Sequence, residues 1–150
     1  MKKFLILFLT TLVTVAANAQ IFTHKEIKDK FDDVVSECDI KTFITKNDTT
    51  FIIEEKGNEP VTYKILSEIE SKGSKDNIIQ LVSNVYGYEK TWEVTSEKNI
   101  IGSLLDEYRY FITYRVVTMK YGYKILYEFC WIVKVSKNGN YERTIYSIIY

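Results

Sequence analysis

The chain contains one histidine and two cysteines, and this scarcity limits the nucleophilic and metal chemistry that it can perform. A Ser-His-Asp or Cys-His centre would have to be built around His24, because there is no second histidine. A zinc site would have to combine that imidazole with Cys38 and Cys130, which lie far apart in the sequence. The sequence therefore predicts no catalytic residue, no metal site and no cofactor.

Carboxylates are the remaining groups that could supply a general acid and a general base. Glu128 is the most informative of them, because it lies in mid-strand among apolar neighbours, where a carboxylate needs a partner. Lys124 and Lys134, its neighbours on the same strand face, are the expected partners. The spacing of the other acids selects no pair, so a small hydrolase or isomerase is a minor alternative.

Lys90 interrupts an aromatic strand face formed by Tyr86, Tyr88, Trp92 and Val94. A lysine in such a face could bind the anionic head of a ligand or stack on a ring. The simpler expectation is that its stem packs on the sheet while its amine reaches water. We include Lys90 in the candidate ligand site on the first of these interpretations.

Residues 1–19 have the pattern of a cleavable secretory signal. A positive start is followed by an apolar run from Phe4 to Val15 and by a small-residue cleavage site at Ala17-Asn18-Ala19. This run is shorter than the roughly 20 apolar residues that cross a bilayer. We expect cleavage before Gln20, export to the periplasm or the medium, and no transmembrane segment in the mature chain.

Composition and charge restrict the class of protein. The signal holds two of the 20 basic residues and none of the 20 acidic ones, so the mature chain carries a net charge of −2. Nucleic acids and anionic membranes need a basic surface, so neither is an expected partner. An aromatic content of 15% with a single proline predicts one packed domain over residues 20–150 rather than a disordered chain.

Export also affects the interpretation of Cys38 and Cys130. An oxidising compartment allows two thiols to pair, and only one pairing is available. The two cysteines lack the Cys-x-x-Cys spacing of redox motifs. The sequence therefore predicts a Cys38–Cys130 disulfide that acts as a structural staple.

The start of the mature chain has the pattern of one amphipathic helix over about residues 24–36. Thr23 and Glu26 form a capping box, and apolar residues then recur at helical spacing. The apolar face would consist of Ile27, Phe31, Val34 and Val35. We expect this helix to pack against a sheet.

From Asp39 onward the apolar period changes to two, and turn signals recur about every ten residues, which is typical of an antiparallel meander. The pattern predicts about eight strands and a short second helix between Ser96 and Asp106. Turns are expected at residues 46–48, 56–60, 71–75, 84–87, 121–122 and 138–139. At the last of these, Asn138-Gly139 favours a type I′ turn.

The strand from Tyr123 to Ser136 has the clearest alternation, and Tyr127, Phe129 and Trp131 lie on one side of it. We expect this aromatic side to face the core and the opposite side, which contains Cys130, to be covered by the helix. The aromatic layer continues on two earlier strands through Trp92, Tyr110 and Tyr114.

The preferred fold is mainly β, an antiparallel meander that forms a small barrel or strongly curved sheet with the N-terminal helix outside. An α+β arrangement of the cystatin or NTF2-like kind, in which the sheet wraps the helix, is the alternative. An outer-membrane barrel is a lesser alternative, because Tyr146, Ile148 and Tyr150 alternate at the end of the chain as the last strand of such barrels often does.

Three classes of function fit this fold. The preferred one is an exported, non-catalytic binding protein that holds an apolar or sugar-like ligand on its aromatic inner face. The second is a protein-interaction module, such as an inhibitor or an accessory subunit of a cell-envelope complex. The third is the small hydrolase or isomerase. The candidate ligand-binding residues are Lys90, Trp92, Tyr110, Tyr114, Tyr127 and Trp131.

Overall fold

The computed structural model describes residues 20–69, 78–82, 84–96, 108–119 and 124–149, which form eleven β-strands and no helix. Several predicted features lie outside the described residues: the signal at 1–19, the turns at 71–75 and 121–122, and all but the first residue of the second helix. Within the described part of the chain, no helix has the length and hydropathy needed to cross a bilayer.

The strands alternate with tight turns along most of the chain. In chain order they are β1 (Gln20–Phe22), β2 (His24–Lys28), β3 (Val34–Cys38), β4 (Thr42–Lys46), β5 (Thr50–Glu55), β6 (Val61–Ile69), β7 (Ile78–Val82), β8 (Val85–Ser96), β9 (Arg109–Met119), β10 (Lys124–Val135) and β11 (Tyr141–Ile149). Ten of them form one antiparallel order, β1-β4-β5-β6-β8-β9-β10-β11-β2-β3, and β7 pairs with β8 outside it. The mainly β antiparallel prediction is confirmed, as are eight strands after Asp39.

The sheet is curled into a half-barrel, and its two ends approach each other at Thr23. Strands β1 and β2 are separated only by this residue, yet β1 pairs with β4 at one end of the order and β2 pairs with β11 at the other. The Thr23 N–H donates a hydrogen bond of 3.1 Å to the Ser147 carbonyl. The inward side chains of distant strands therefore share one interior.

Strand alternation directs every second side chain into this interior. Phe22 and Ile112, from β1 and β9, are fully buried at its centre. The buried cluster consists of Phe22, Ile44, Phe51, Ile53, Trp92, Val94, Ile112, Cys130, Ile132 and Tyr146. Contributions from seven strands explain why the curl is needed, since no pair of neighbouring strands could enclose these side chains.

The predicted N-terminal helix is wrong: residues 24–36 contain β2, a tight turn and part of β3. Strand β2 pairs with β11 on one side and with β3 on the other, so its backbone groups are satisfied by the sheet. Asp29 fixes the turn, because its Oδ1 accepts hydrogen bonds from the N–H groups of Phe31 and Asp33. The residues at helical spacing do not form a buried stripe, since Phe31 is 72% and Val35 60% exposed.

The core face predicted for β10 is also wrong. Glu128, Cys130 and Ile132 are buried on the inner side, whereas Tyr127 is 38% exposed on the outer side. The outer aromatic side chains are partly covered by one another and by a guanidinium, which explains why they resemble a core stripe. Tyr127 stacks on Phe129, and the Arg115 guanidinium carbon lies 5.5 Å from the Trp131 ring centroid.

The predicted Cys38–Cys130 disulfide is not formed, and both residues are free thiols, Cys38 exposed and Cys130 buried. The strand register explains this finding. Cys38 pairs with Lys25, Lys25 with Tyr146, and Tyr146 with Cys130, so two strands separate the thiols. Three steps of about 4.8 Å place the Cα atoms roughly 14 Å apart, well beyond the ~7 Å limit for a disulfide.

Local hydrogen bonds hold two of the predicted turns. Between β4 and β5, the Asn47 Oδ1 accepts hydrogen bonds from the N–H groups of Thr49 and Thr50. The Asn138-Gly139 turn lies at its predicted place but is not type I′. Only Gly139 has a positive φ, of 79°, as in a type I turn that ends in a left-handed glycine.

Candidate functional site

A cavity of about 260 Å³ lies in the half-barrel interior, near β1, β4 and the middle of β8. Aromatic rings dominate its lining, and the polar groups are two ammonium ions, an amide and two phenols. The lining residues are Gln20, Phe22, Ile44, Lys46, Phe51, Tyr88, Lys90, Trp92, Tyr114 and Cys130. We refer to this space as the first cavity. Its mixture of rings and few polar groups is typical of small-molecule sites.

Antiparallel register brings the lining residues of the first cavity into rows. Lys90 on β8 pairs with Tyr114 on β9, and Tyr114 pairs with Cys130 on β10. The next inward row is Trp92, Ile112 and Ile132, in which Ile112 is fully buried. Period-two alternation on these three strands therefore places Lys90, Tyr114 and Cys130 together on the cavity lining, next to Trp92.

Trp92 lines the first cavity, and its indole contacts an aromatic ring and two ammonium groups. Its ring meets that of Phe51 edge to face, with centroids 5.2 Å apart and planes at 64°. The Lys46 and Lys90 Nζ atoms lie 5.2 and 5.8 Å from its ring centroid. These contacts fix the indole while leaving it on the cavity lining.

The two lysines of the first cavity differ in their charge partners. Lys90 Nζ lies 3.1 Å from Glu68 Oε1, so this ammonium is neutralised within the chain. Lys46 Nζ donates a hydrogen bond of 3.2 Å to the Asn47 carbonyl and lies 5.9 Å from the Phe51 ring centroid. Among the residues that the structure describes, no carboxylate lies within 4.0 Å of Lys46 Nζ.

Glu128 is buried beside this cavity, with 5% of its surface exposed. Its Oε2 accepts a hydrogen bond of 2.9 Å from the Tyr114 hydroxyl. The expected partners were Lys124 and Lys134 on the same strand. The observed partner, Tyr114, lies on the neighbouring strand β9. Glu128 thereby positions the Tyr114 ring that lines the cavity.

Four of the six predicted ligand residues face the interior. Lys90, Trp92 and Tyr114 line the first cavity, and Tyr110 lines a second one. Tyr127 and Trp131 lie on the outer face of β10, opposite the buried Cys130, so they are not part of either cavity.

The sequence prediction missed the contributions of β1 and β4 to the first cavity, chiefly Lys46, Ile44 and Phe22. Strand β4 carried a usable signal, because Thr42, Ile44 and Lys46 alternate with Phe43 and Thr45. Which side of so short an alternation faces inward is decided by its pairing with β5, which the sequence does not reveal.

The second cavity, of about 340 Å³, is polar and contains its own ion pair. Lys25 Nζ lies 2.8 and 2.6 Å from the two carboxylate oxygens of Glu55. Burial raises the pKa of Tyr63 to about 12 and also raises that of Tyr146. Both phenols therefore stay protonated at neutral pH, and the charged groups at the centre of this cavity satisfy each other.

The outer face of the β2–β3 hairpin contains the one group of described residues that could hold a metal ion: His24, Glu26 and Glu37, with ligand atoms within 4.8 Å of one another. His24 Nε2 lies 3.0 Å from Glu37 and Nδ1 lies 2.8 Å from Asp39. The hydrogen bond to Asp39 raises the pKa of His24, and the charges of Glu37 and Asp39 act in the same direction. When it is protonated, the imidazole can itself neutralise the Glu37 and Asp39 carboxylates.

Comparisons with known proteins identify no relative of this chain. No family model matches the sequence, no curated protein is significantly similar to it, and no solved structure matches its fold.

Proposed function

We propose that the protein is a non-catalytic binding protein, and that its first cavity holds a small apolar or sugar-like ligand against Trp92. The observation that carries this proposal is the accessible aromatic lining of the first cavity, next to the buried cluster of the half-barrel. Rings at a cavity wall offer apolar area to a hydrocarbon and a stacking surface to a sugar. Tyr88, Tyr114 and Gln20 would supply the few polar contacts that orient a ligand.

The volume of the cavity restricts the size of the ligand. About 260 Å³ is slightly below the usual range of small-molecule pockets, roughly 300–1,000 Å³, so the occupant would be a small molecule or one end of a longer one. We further propose that the protein acts after export, because residues 1–19 have the pattern of a secretory signal.

A catalytic function is less well supported by the same residues. Glu128 is the buried acid nearest the cavity, and its hydrogen bond to Tyr114 gives it a structural role. A glycosidase would need a second carboxylate about 5–10 Å away across a bound substrate. The lining of the first cavity, as far as the structure describes it, contains no side-chain carboxylate.

The two tryptophans allow a direct test of binding, because Trp92 lines the cavity and Trp131 lies on the outer face. In Trp131→Phe, Trp92 is the only indole reporter, and in Trp92→Phe only the outer indole remains. The uncharged probes 4-phenylbutyramide and methyl β-glucoside are titrated into each variant, with fluorescence excited where neither probe absorbs. We expect a saturable change in Trp131→Phe and none in Trp92→Phe.

Two results of this titration would contradict the proposed ligand site. If neither probe changes the Trp92 emission up to the limit of its solubility, or if both variants respond alike, then the cavity is not a ligand site. Amide NMR spectra of the wild-type protein with the same probes provide a check that does not depend on the substitutions, because binding would shift resonances of β8 and β9.

A second candidate function, a protein-interaction module, is supported by the β3 edge. All five residues of Val34–Cys38 are exposed, and no strand pairs with the outer side of β3 among the described residues. Such an edge can accept an extended segment of another chain. A benzophenone attached to Cys38 should cross-link a partner in native extract, and Val35→Lys should abolish that product.

A further inference from the structure

We propose that the ligand of the first cavity carries a single anionic group, such as a carboxylate, and that Lys46 is the residue that receives it. This inference rests on the proposed function, since it names the chemistry of the molecule bound there. It concerns a feature that the aromatic lining alone does not explain, which is the presence of an ammonium ion without an acidic partner.

The two lysines of the first cavity differ in whether an acidic partner is present. Its lining contains Lys46 and Lys90, and Glu68 neutralises Lys90 at 3.1 Å. Lys46 contacts ring faces and one backbone carbonyl, at 3.2 Å. An ammonium ion has three N–H donors, so two remain for water or for a ligand. Of the two ammonium ions on the lining, Lys46 is therefore the one without a carboxylate of a described residue within 4.0 Å.

The second cavity of the same interior shows how the chain satisfies an ammonium when no ligand is needed. There Glu55 accepts from Lys25 with both carboxylate oxygens, at 2.8 and 2.6 Å. Lys25 and Lys46 are alike in being inward-facing lysines whose Nζ lies over an aromatic ring. They differ in that the carboxylate present beside Lys25 is absent from the described surroundings of Lys46. A carboxylate on the ligand would complete the equivalent pair.

The position of Lys46 suits this role. It is the last residue of β4, and the turn that follows is fixed by the Asn47 side chain, which accepts hydrogen bonds from Thr49 and Thr50. Its ammonium lies within 6 Å of the Trp92 and Phe51 rings, so an acid bound there would have its apolar body on these rings. Amphipathic acids with one ring or a short alkyl chain combine both features.

The test compares an acid with its uncharged isostere, 4-phenylbutyrate with 4-phenylbutyramide, by calorimetry at neutral pH. We expect the carboxylate to bind the wild-type protein about tenfold more tightly, which corresponds to 1.4 kcal/mol. Raising the salt concentration should reduce this ratio, because the Lys46 side chain is partly exposed. In Lys46→Gln the ratio should fall to near one, and in Lys46→Arg it should persist.

Lys41 provides the matched control, because it directly precedes β4 and its Nζ also lies over a ring, that of the outward-facing Phe43, at 5.3 Å. Lys41→Gln should leave the acid-to-amide ratio unchanged. A ratio that survives in Lys46→Gln but disappears in Lys90→Gln would overturn the assignment to Lys46. Circular dichroism of each variant verifies the fold, and the Lys46→Arg and salt experiments decide the matter if Lys46→Gln fails to fold.

Failure of the inference and failure of the proposed function give different results. If the acid and the amide bind with equal affinity, the anionic group is not recognised and the inference is wrong, while ligand binding stands. If neither compound binds, and octanoate, octanamide and methyl β-glucoside also do not bind, the proposed function is wrong as well.

Discussion

His24 is surrounded by three carboxylates, and its ionisation should therefore depend on one of them more than on the others. The hydrogen bond to Asp39 is the main cause of its raised pKa, followed by opposing desolvation and the charge of Glu37. We expect Asp39→Asn to lower the pKa of His24 toward 6.5. Because the chain has a single histidine, one imidazole resonance in an NMR pH titration gives the value directly.

The raised pKa of His24 also makes the free energy of unfolding depend on pH. A folded-state pKa above the unfolded value means that protonated His24 stabilises the fold fully below about pH 6.5 and loses this effect as the pH rises through the folded pKa. The difference in free energy of unfolding between wild type and His24→Gln should shrink over that interval. Asp48→Asn, in an exposed turn, serves as the control. An unchanged His24 pKa in Asp39→Asn would contradict the role of Asp39 in raising it.

The two thiols should differ sharply in reactivity. Burial raises the pKa of Cys130 to about 12, whereas Cys38 is exposed on β3. At about pH 8, ionisation alone makes the Cys130 thiolate on the order of a thousandfold scarcer than that of an ordinary cysteine. Iodoacetamide should therefore modify only Cys38 in the native protein and both cysteines in urea, as counted by mass spectrometry. Resistance of both in urea, relieved by reductant, would establish the disulfide instead.

The β2–β3 hairpin shows how a local pattern can be overruled by pairing. Thr23 and Glu26 satisfy the rules of a helix start, and Ile27, Phe31 and Val34 satisfy the helical period. An isolated helix of about 13 residues is marginal, however, and most of its stability must come from packing of its apolar face. Here β11 offers β2 a complete ladder from Lys28 to His24, and the apolar side chains at the tip remain exposed.

Substitution at Val35 distinguishes these two structures. On the exposed edge strand, Val35→Lys should change the free energy of unfolding by less than about 0.5 kcal/mol, since the side chain loses little buried contact. Val94→Ala is the buried comparison, and removal of its two methyl groups should cost about 2 kcal/mol. Urea denaturation measures both. A loss above about 1.5 kcal/mol in Val35→Lys would indicate a packed apolar face, as the helical pattern implies.

At the scale of strands, alternation identified the inner face where one side was clearly polar. On β8, Glu89, Thr91 and Glu93 mark the outside, so Trp92 was assigned correctly. On β10 both sides are apolar in the middle, and the larger rings lie outside. Ring size therefore misled the assignment. The buried Glu128 accepts a hydrogen bond from the Tyr114 hydroxyl, and the Arg115 guanidinium covers part of the half-buried Trp131.

The first cavity is lined by strands from distant parts of the chain. For this reason only some of its lining residues could be predicted from the sequence. Lys90, Trp92 and Tyr114 come from adjacent strands whose alternation is readable. Phe22 and Lys46 come from strands near the chain start, and they reach Trp92 only because the sheet curls until its ends meet at Thr23. The curl depends on twist summed over ten strands, which no local pattern specifies.

Lys25 and Glu55 connect the two ends of the curled sheet, and their interaction should contribute to its closure. Lys25 lies on β2, beside β11, while Glu55 lies on β5, so their contact of 2.6 Å spans the junction at Thr23. Both side chains are at least 80% buried, being 20% and 16% exposed. Screening by water is therefore weaker than for a surface pair.

A double-mutant cycle with Lys25→Met and Glu55→Gln measures this contribution. We expect a coupling free energy of about 1–2 kcal/mol, because either single change leaves a partly buried charge without its partner. The Arg109–Glu93 pair on the outer face is the control, with Arg109 65% exposed, and its coupling should be clearly smaller than that of the inner pair because water screens it. Equal coupling free energies in the two cycles would mean that the Lys25–Glu55 pair does not stabilise the closure of the curled sheet. In that case the Thr23–Ser147 hydrogen bond and the burial of Phe22 would have to hold the curl.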